Sequence, residues 1–177
     1  LLVLNSASFA VDTNKGGILS LFHSHSCALD DTGVVCWGYN RYDQTNVPSL
    51  SNPKQVSSGF EHSCAIDDTG VVCWGRNQFG QTNVPTLSNP TQVSLGFEHS
   101  CAIDDTGVVC WGLNQDGQTD VPSLSNPTQV SLGWDHNCAL DDTGVVCWGN
   151  NSYGKATVPT LSNPTQVSLG TSHSCAL

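Results

Sequence analysis

A repeat of 37 residues runs through almost the whole chain and restricts the folds open to it. One cysteine recurs at this period without any insertion, at positions Cys27, Cys64, Cys101, Cys138 and Cys175. A second block, "LSNPTQVSLG" in its commonest form, recurs between the cysteines. Fixed periods of 20–50 residues are typical of solenoids, propellers and similar arrays. The sequence therefore predicts one repeat array rather than several unrelated domains.

Each unit contains four short segments of strand-forming composition, separated by turn residues. In the third unit these segments are Gln92–Gly96, His99–Ile103, Val108–Gly112 and Gln118–Pro122. Four antiparallel strands per unit are typical of a propeller blade. We therefore predict an all-β propeller domain over residues 11–177, with four complete four-stranded blades and an incomplete fifth. Its units, numbered repeats 1 to 5 below, span about 18–48, 55–85, 92–122, 129–159 and 166–177.

The stretch "CALDDTGVVC" predicts a hairpin with a four-residue loop, which places Cys27 opposite Cys36. Cysteines that face each other on antiparallel strands lie within reach of a disulfide. The repeat therefore predicts four disulfides, Cys27–Cys36, Cys64–Cys73, Cys101–Cys110 and Cys138–Cys147, and leaves Cys175 without its second cysteine.

Zinc is the alternative to a disulfide, because His62, Cys64 and Cys73 could be taken for three ligands. Their spacing lacks the CxxC knuckle of structural zinc sites, and one metal in each blade would be unusual. We predict disulfides, with no metal and no cofactor.

Charge and composition limit the partners and the compartment. The chain has 15 Asp and Glu against 5 Lys and Arg, for a net charge of −10, which argues against nucleic acid or an anionic membrane surface. No stretch approaches the roughly 18 apolar residues of a transmembrane helix, so we predict no membrane insertion. Disulfides persist in oxidising compartments. We therefore expect an extracellular, periplasmic or cell-surface location.

The first ten residues, "LLVLNSASFA", differ in character from the repeats. Ser8 and Ala10 occupy the −3 and −1 positions of a signal-peptidase site, so residues 1–10 resemble the end of a signal peptide. The alternative is an ordinary apolar strand at residues 1–4. The first interpretation predicts that the chain is part of a longer open reading frame.

The stretch "GFEHSCAIDDTGVVCWGRNQFGQTNVP" resembles the repeat of the regulator of chromosome condensation superfamily. The short period is similar to that of the bacterial branch, which includes secreted β-lactamase-inhibitor propellers. Three positions depart from the pattern: Phe22 and Asp43 replace expected glycines, and Gly154–Thr157 replaces a Gly-Gln pair. The resemblance implies a structural, hydrogen-bonding role for the recurring histidine, at His25, His62, His99, His136 and His173.

The resemblance also implies a ring of seven blades. Seven 37-residue units exceed the 177 residues of this chain, which hold four units and part of a fifth. An open arc would expose apolar blade faces and strand edges. We expect that the natural chain continues; the alternative is that copies self-associate to close the ring.

Up-and-down strands place the loops of each unit on two faces. The "DDTG" turns are identical in all four complete units and form one acidic face. The loops of the other face vary between units and carry aromatic side chains, which often dominate protein interfaces. Phe60, Phe97 and Trp134 are the strongest candidates for packing between blades. The predicted contact residues are Tyr39, Arg41, Tyr42, Arg76, Phe79, Tyr153 and, secondarily, Trp134.

Two classes of function are compatible with this surface. The first is a secreted or cell-surface, non-catalytic propeller that binds another protein through its variable aromatic loops. The second is an extracellular enzyme or lectin that acts on a polysaccharide or peptide at the channel. A catalytic site should interrupt the repeat with a unique acid, base or nucleophile, and the sequence shows none. We therefore predict a binding protein and no catalytic residues.

Overall fold

A computed structural model gives the structure of the chain and describes residues 18–177. The predicted signal-peptide remnant at residues 1–10 lies outside the described residues. Within the described part, the regular elements are strands and a single turn of 3-10 helix at Ser152–Gly154. The all-β prediction is confirmed.

The strands group by repeat. Repeat 1 contains β1 (Ile18–Leu21), β2 (His25–Asp30) and β3 (Gly33–Gly38); repeat 2 contains β4 (Gln55–Ser58), β5 (His62–Asp67) and β6 (Gly70–Gly75). Repeat 3 contains β7 (Gln92–Leu95), β8 (His99–Asp104) and β9 (Gly107–Gly112); repeat 4 contains β10 (Gln129–Leu132), β11 (His136–Asp141) and β12 (Gly144–Gly149). Repeat 5 contains β13 (Val167–Leu169) and β14 (Ser174–Ala176).

Each repeat folds into its own antiparallel sheet in chain order. Four sheets have three strands and the fifth, β13–β14, has two. Four complete blades and an incomplete fifth are therefore present, as the period predicts.

The predicted fourth strand of each blade does not form within the described repeats. In repeat 2 the segment Gln81–Pro85 makes turn hydrogen bonds instead, from Asn83 N to Gly80 O and from Val84 N to Thr82 O. Pro85 has no N–H to donate to a ladder. Val84 nevertheless packs against the core between repeats 2 and 3. The segment thus packs on the core without pairing in the sheet, so the prediction of four strands per blade was wrong by one.

The central hairpin of each blade has the predicted register. In repeat 2, Cys64 pairs with Cys73, and the ladder continues to Asp67 and Gly70, so the turn itself is two residues long. Gly70 has φ +122°, a conformation that a residue with a β-carbon rarely adopts. All four predicted disulfides are present, with Cα–Cα distances of 4.0–4.1 Å. Cys175 is a free, exposed cysteine.

The apolar core lies between neighbouring sheets. Between repeats 2 and 3, repeat 3 contributes Val93, Leu95, Ala102 and Trp111 to this core. Repeat 2 contributes Cys64 and Ile66, and partly buried side chains pack around them. An equivalent cluster joins repeats 3 and 4, and a smaller one joins repeats 1 and 2. Each blade therefore needs a neighbour to bury its apolar face, as in other repeat proteins.

The recurring histidines link successive blades, which confirms the hydrogen-bonding role expected of them. His62 Nε2 lies 3.0 Å from Ser100 Oγ in the next repeat, and His99 Nε2 lies 2.6 Å from Asn137 Oδ1. Both rings are fully buried. Burial lowers the pKa of His62 to about 3 and that of His99 to about 4, so both imidazoles are neutral near pH 7.

Candidate functional site

Backbone hydrogen bonds divide the loops into the two predicted faces. On one side, the loop after the third strand joins the loop between the first and second strands, through bonds such as Arg76 N to Glu61 O and Leu113 N to Glu98 O. On the other side, the "DDTG" turn joins the "SLSNP" loop, for example through Asp68 N to Ser51 O. We call the first side the variable face and the second side the acidic face.

The acidic face repeats the same local structure in each complete blade. Asp67 accepts hydrogen bonds from the backbone N–H and the hydroxyl of Thr69, and from the N–H of Ser51. Burial alone would raise the pKa of the Asp67 carboxyl, but these hydrogen bonds hold the pKa below its usual value. The carboxylates at this position are thus used to build the turn, which explains their constancy without a bound ligand.

The loops of the variable face share one frame. A buried glutamine accepts a hydrogen bond from the backbone N–H two residues earlier, from Tyr42 to Gln44 and from Phe79 to Gln81, both at 2.9 Å. The second residue of each loop is an asparagine whose side chain accepts a backbone N–H five residues later, as Asn77 does from Thr82. Because this frame is fixed, the side chains between its members are free to differ.

Three of the predicted contact residues come together at the boundary of repeats 1 and 2. The Tyr42 ring lies under two guanidinium groups, 5.7 Å from that of Arg41 and 5.3 Å from that of Arg76. Tyr39 is 41% exposed and Arg41 is also exposed, whereas Tyr42, Arg76 and Phe79 are half-buried. Among the described residues, no ring contact or ion pair joins Phe79 or Tyr153 to this group.

Arg76 also bridges two repeats through a pair of carboxylates. Its Nη1 lies 2.8 Å from Glu61 Oε2 and 2.7 Å from Glu98 Oε1. Burial raises the pKa of Glu98; the nearby Arg76 opposes that shift, and Glu61 adds to it. One arginine therefore compensates two largely buried carboxylates, so this part of the face is held in place by charge.

Four rings from four repeats meet on the variable face. Phe97 stacks on Trp134 with centroids 3.9 Å apart, and Phe60 lies 4.5 Å from Phe97 and 5.3 Å from Trp134. The exposed His23 adds a fourth ring, 4.9 Å from Phe60. The rings occupy one position in the repeat, so successive blades bring them together. Trp134 is thus part of an aromatic cluster and stacks on Phe97.

Tyr153 is placed differently from its counterparts in the other repeats. It is 98% exposed and has φ +65°, whereas Tyr42 and Phe79 are half-buried and do not have positive φ. Lys155 stands where the other repeats have the buried glutamine, and its Nζ lies 2.5 Å from Asp135 Oδ1.

Sequence reasoning missed the partners that position these side chains. His23, Glu61, Glu98 and Lys155 were not predicted as members of the site. A signal for the pairing was present, because only repeat 2 carries a cation after "WG" and repeats 2 and 3 carry Glu before the histidine. A signal for Lys155 was also present, since repeat 4 alone among the four complete repeats lacks the glutamine.

Residues 18–177 contain neither a metal-binding cluster nor a membrane-spanning helix. No group of three or more His, Cys, Asp or Glu side chains in this part of the chain is arranged to hold a metal ion. None of the helices described is long and apolar enough to cross a membrane. The four disulfides indicate folding in an oxidising environment.

Sequential antiparallel sheets that pack face to face at a 37-residue period define the chain as a β-propeller repeat protein. The regulator of chromosome condensation (RCC1) repeat matches residues 54–81, 91–118 and 128–155. The chain therefore contains three repeats of this family, as the sequence pattern predicts, whereas its relation to the bacterial branch stays a prediction. Comparison with curated proteins finds no match.

Solved structures of the same fold come from plants and yeast. The ectodomain of the Physcomitrella patens receptor kinase CR4 is 26% identical, with a TM-score of 0.72, over 93% of this chain and 45% of that one. Prp20p from Saccharomyces cerevisiae, described with its binding properties to Gsp1p and histones, is 16% identical with a TM-score of 0.79, over 95% and 57%. The Arabidopsis thaliana ACR4 ectodomain is 24% identical with a TM-score of 0.73, over 98% and 67%. The chain thus spans about half the length of the first two.

Proposed function

We propose that the chain is a non-catalytic, secreted or cell-surface propeller that binds another protein through its variable face. The observation that carries this proposal is the contrast between the two faces on one scaffold. The acidic face repeats its hydrogen bonds from blade to blade, whereas the variable face holds different aromatic and charged side chains on a loop frame that repeats 1 to 3 share. Residues that vary while the frame stays fixed are free to serve recognition.

The chemistry of the variable face supports a protein as the ligand. Tyr, Trp and Arg are the residues that most often dominate the energetics of protein interfaces. Tyr39, Arg41 and Tyr153 are exposed on this face. Arg76 and Tyr42 are held by neighbouring charges and rings, so they lose little side-chain freedom on binding.

The similar proteins support the compartment and the class. One solved relative is the ectodomain of a receptor kinase at 26% identity, and the disulfides of this chain fit the same oxidising side of a membrane. Prp20, a more distant member of the fold, is described as binding proteins. Binding by the surface of a propeller is therefore compatible with the family whose repeats the chain contains.

The test is affinity capture from the extracellular fluid of the source, with variants of each face compared in parallel. A variable-face variant, Tyr39→Ala with Arg41→Ala, should lose a captured protein that an acidic-face variant, Asp68→Asn with Asp105→Asn, retains. Capture of a glycan without protein, or equal loss by both variants, would contradict the proposal. Both pairs lie at exposed positions, so folding should be unaffected; circular dichroism checks this.

A further inference from the structure

Repeat 4 differs from the three preceding repeats at one buried position on the variable face. Gln44, Gln81 and Gln118 are at most 1% exposed, and each side chain accepts a backbone N–H from the residue two positions earlier. Lys155 occupies this position in repeat 4. An ammonium group has three donors and no acceptor, so Lys155 cannot receive that hydrogen bond.

The rest of the frame is retained in repeat 4. Asn151 still accepts the backbone N–H of Ala156, as Asn77 accepts that of Thr82. The backbone carbonyl of Lys155 still accepts the hydroxyl of Ser174 in the next repeat, as that of Gln81 accepts Ser100. The replacement therefore changes what the side chain does and leaves the contact between blades in place.

Tyr153 is the residue whose backbone N–H has no glutamine acceptor in repeat 4. Its backbone is in the left-handed region at φ +65°, which is unfavourable for a residue with a bulky side chain. Its ring is 98% exposed. At the same position, Tyr42 and Phe79 are half-buried, Tyr42 in part beneath Arg76 of the following repeat, and Asp116 is exposed. An unfavourable backbone and a fully hydrated aromatic ring together are not explained by the stability of the blade. Such strain is typical of positions with a functional role.

The Lys155 side chain makes a different contact from that of the glutamines. Its Nζ pairs with Asp135 at 2.5 Å, and its side chain is only 6% exposed. The loop is therefore held in the alternative conformation by a specific contact to the neighbouring loop of the same repeat.

We infer that Lys155 is a positioning residue that turns Tyr153 outward, and that Tyr153 is the anchor with which the variable face enters an apolar pocket on its protein partner. The inference rests on the proposed function. The exposed Asp116, whose carboxylate accepts the side chain of Asn150 at 3.1 Å, lies beside this loop. With a net charge of −10 on the chain, the partner's pocket is expected to be rimmed by basic residues.

Three variants separate positioning from structure. Lys155→Gln introduces the glutamine of the other repeats, which can accept the backbone N–H of Tyr153. The Tyr153 ring should then become less exposed. Lys155→Arg keeps the pair with Asp135 and provides no acceptor, so Tyr153 should stay exposed. Lys54→Gln removes another lysine, whose partner Asp68 is on the acidic face, and serves as the matched control.

The first measurement needs no partner. Nitration by tetranitromethane, followed by peptide mass spectrometry, compares the rate at Tyr153 with the rate at Tyr42 in the same molecule. We expect Tyr153 to react faster in the wild type, in Lys155→Arg and in Lys54→Gln, and to slow to the rate of Tyr42 in Lys155→Gln. An unchanged rate at Tyr153 in Lys155→Gln would show that Lys155 does not position it.

The second measurement tests the anchor. The photo-crosslinking residue p-benzoylphenylalanine replaces Tyr153, Phe79 or, on the acidic face, Asn126, and each protein is irradiated in the extracellular fluid of the source. The inference predicts a protein crosslink from position 153 that Lys155→Gln weakens and Lys155→Arg retains. Crosslinks from position 79 but not 153 would overturn the inference and leave the proposed function standing. Crosslinks from neither position, or from 126 alone, would overturn both.

Discussion

The indole nitrogen of Trp74 donates a hydrogen bond of 2.9 Å to the backbone carbonyl oxygen of Gln44 in the preceding repeat. The hydroxyl of Ser63 donates to the same oxygen at 2.9 Å. Trp111 and Trp148 repeat the arrangement at the next two boundaries. The backbone carbonyl of each of these glutamines, which lie in loops of the variable face, therefore also links two blades. The loops whose side chains vary are thus bonded directly to a blade interface whose residues are nearly constant.

Removal of a tryptophan at a blade boundary should destabilise the protein strongly. Trp111 is 7% exposed and Trp37, its counterpart in repeat 1, is 49% exposed. Trp111→Ala should lower the free energy of unfolding by about 3–5 kcal/mol, because it leaves a cavity and removes one of the two hydrogen bonds to the Gln81 carbonyl. Urea denaturation followed by circular dichroism measures the change. Trp37→Ala is the control and should cost much less; equal losses would contradict packing between blades as the main source of stability.

Gly96 lies at a close approach between successive blades. A β-carbon there would lie 2.6 Å from the carbonyl oxygen of Gly133 and against the ring of the buried His99. Gly96→Ala should therefore lower the free energy of unfolding by about 1–3 kcal/mol, the usual cost of overpacking. Gly170→Ala is the matched control, since the atoms nearest to its β-carbon would all be in the ring of the exposed His173 rather than in the backbone of another blade. If thermal denaturation shows similar losses for both, the close approach of blades is not the cause.

The buried histidines predict that the protein loses stability in mild acid. Besides His62 and His99, burial lowers the pKa of His25 and of His136 to about 4. The pKa values of His62 and His99, lowered by burial to about 3 and about 4, lie below the unfolded value near 6.5. As the pH falls from about 6.5 to about 4, the unfolded chain binds protons that the folded chain does not, at a cost of about 1.4 kcal/mol per unit of pKa difference. The stabilisation is therefore complete above pH 6.5 and lost progressively below it.

Other titrating groups are separable from the histidines. The pKa of Asp67 is lowered, so its contribution is lost at a pH below this window, and the raised pKa of Glu98 works in the opposite direction. Urea midpoints at pH 7.5, 6.0 and 5.0 measure the effect. A midpoint that stays constant over this range would count against neutral, buried imidazoles.

The fold was largely predictable because each repeat provides an internal comparison. The offset of Cys64 from Cys73, the "DDTG" turn and the period together determine the hairpin, its register and its neighbours. The absence of the fourth strand was not predictable in this way. The segment around Val84 has the composition of a strand, and this composition is the same whether the segment pairs in a sheet or only packs against one.

The candidate site was less predictable because it depends on contacts between repeats. Arg76 meets Glu98 across a blade boundary, and such a pair is visible only once the distance between loops is known. The outward turn of Tyr153 follows from a hydrogen bond that Lys155 cannot accept. The sequence shows that Lys155 replaces a glutamine. Only the structure shows that the glutamine is buried and accepts a backbone hydrogen bond.

Thiol labelling tests the disulfide pairing. Iodoacetamide without reductant should tag only Cys175, because the other eight cysteines are paired. After denaturation and reduction, mass spectrometry should find nine labelled cysteines. Cys175→Ser should abolish labelling under native conditions. Labelling of eight or nine thiols before reduction would show that the pairs are not formed.

The bridge from Arg76 to Glu61 and Glu98 should stabilise the boundary between repeats 2 and 3. Arg76→Leu places at this position the residue that repeat 3 has as Leu113, so the side chain itself is compatible with the blade. It should still lower the free energy of unfolding by about 2 kcal/mol, between the values typical of exposed and of fully buried pairs, because two largely buried carboxylates lose their counter-charge.

A second change distinguishes lost charge compensation from lost packing. In the Arg76→Leu background, Glu98→Gln removes one of the uncompensated charges and should restore part of the stability, although it is expected to be destabilising in the wild type. Lys54→Met, which breaks the exposed pair with Asp68, is the control and should leave stability nearly unchanged. Denaturation of the four combinations at positions 76 and 98 gives the coupling energy. If Glu98→Gln has the same effect in both backgrounds, the bridge contributes through packing, and its charges are not coupled.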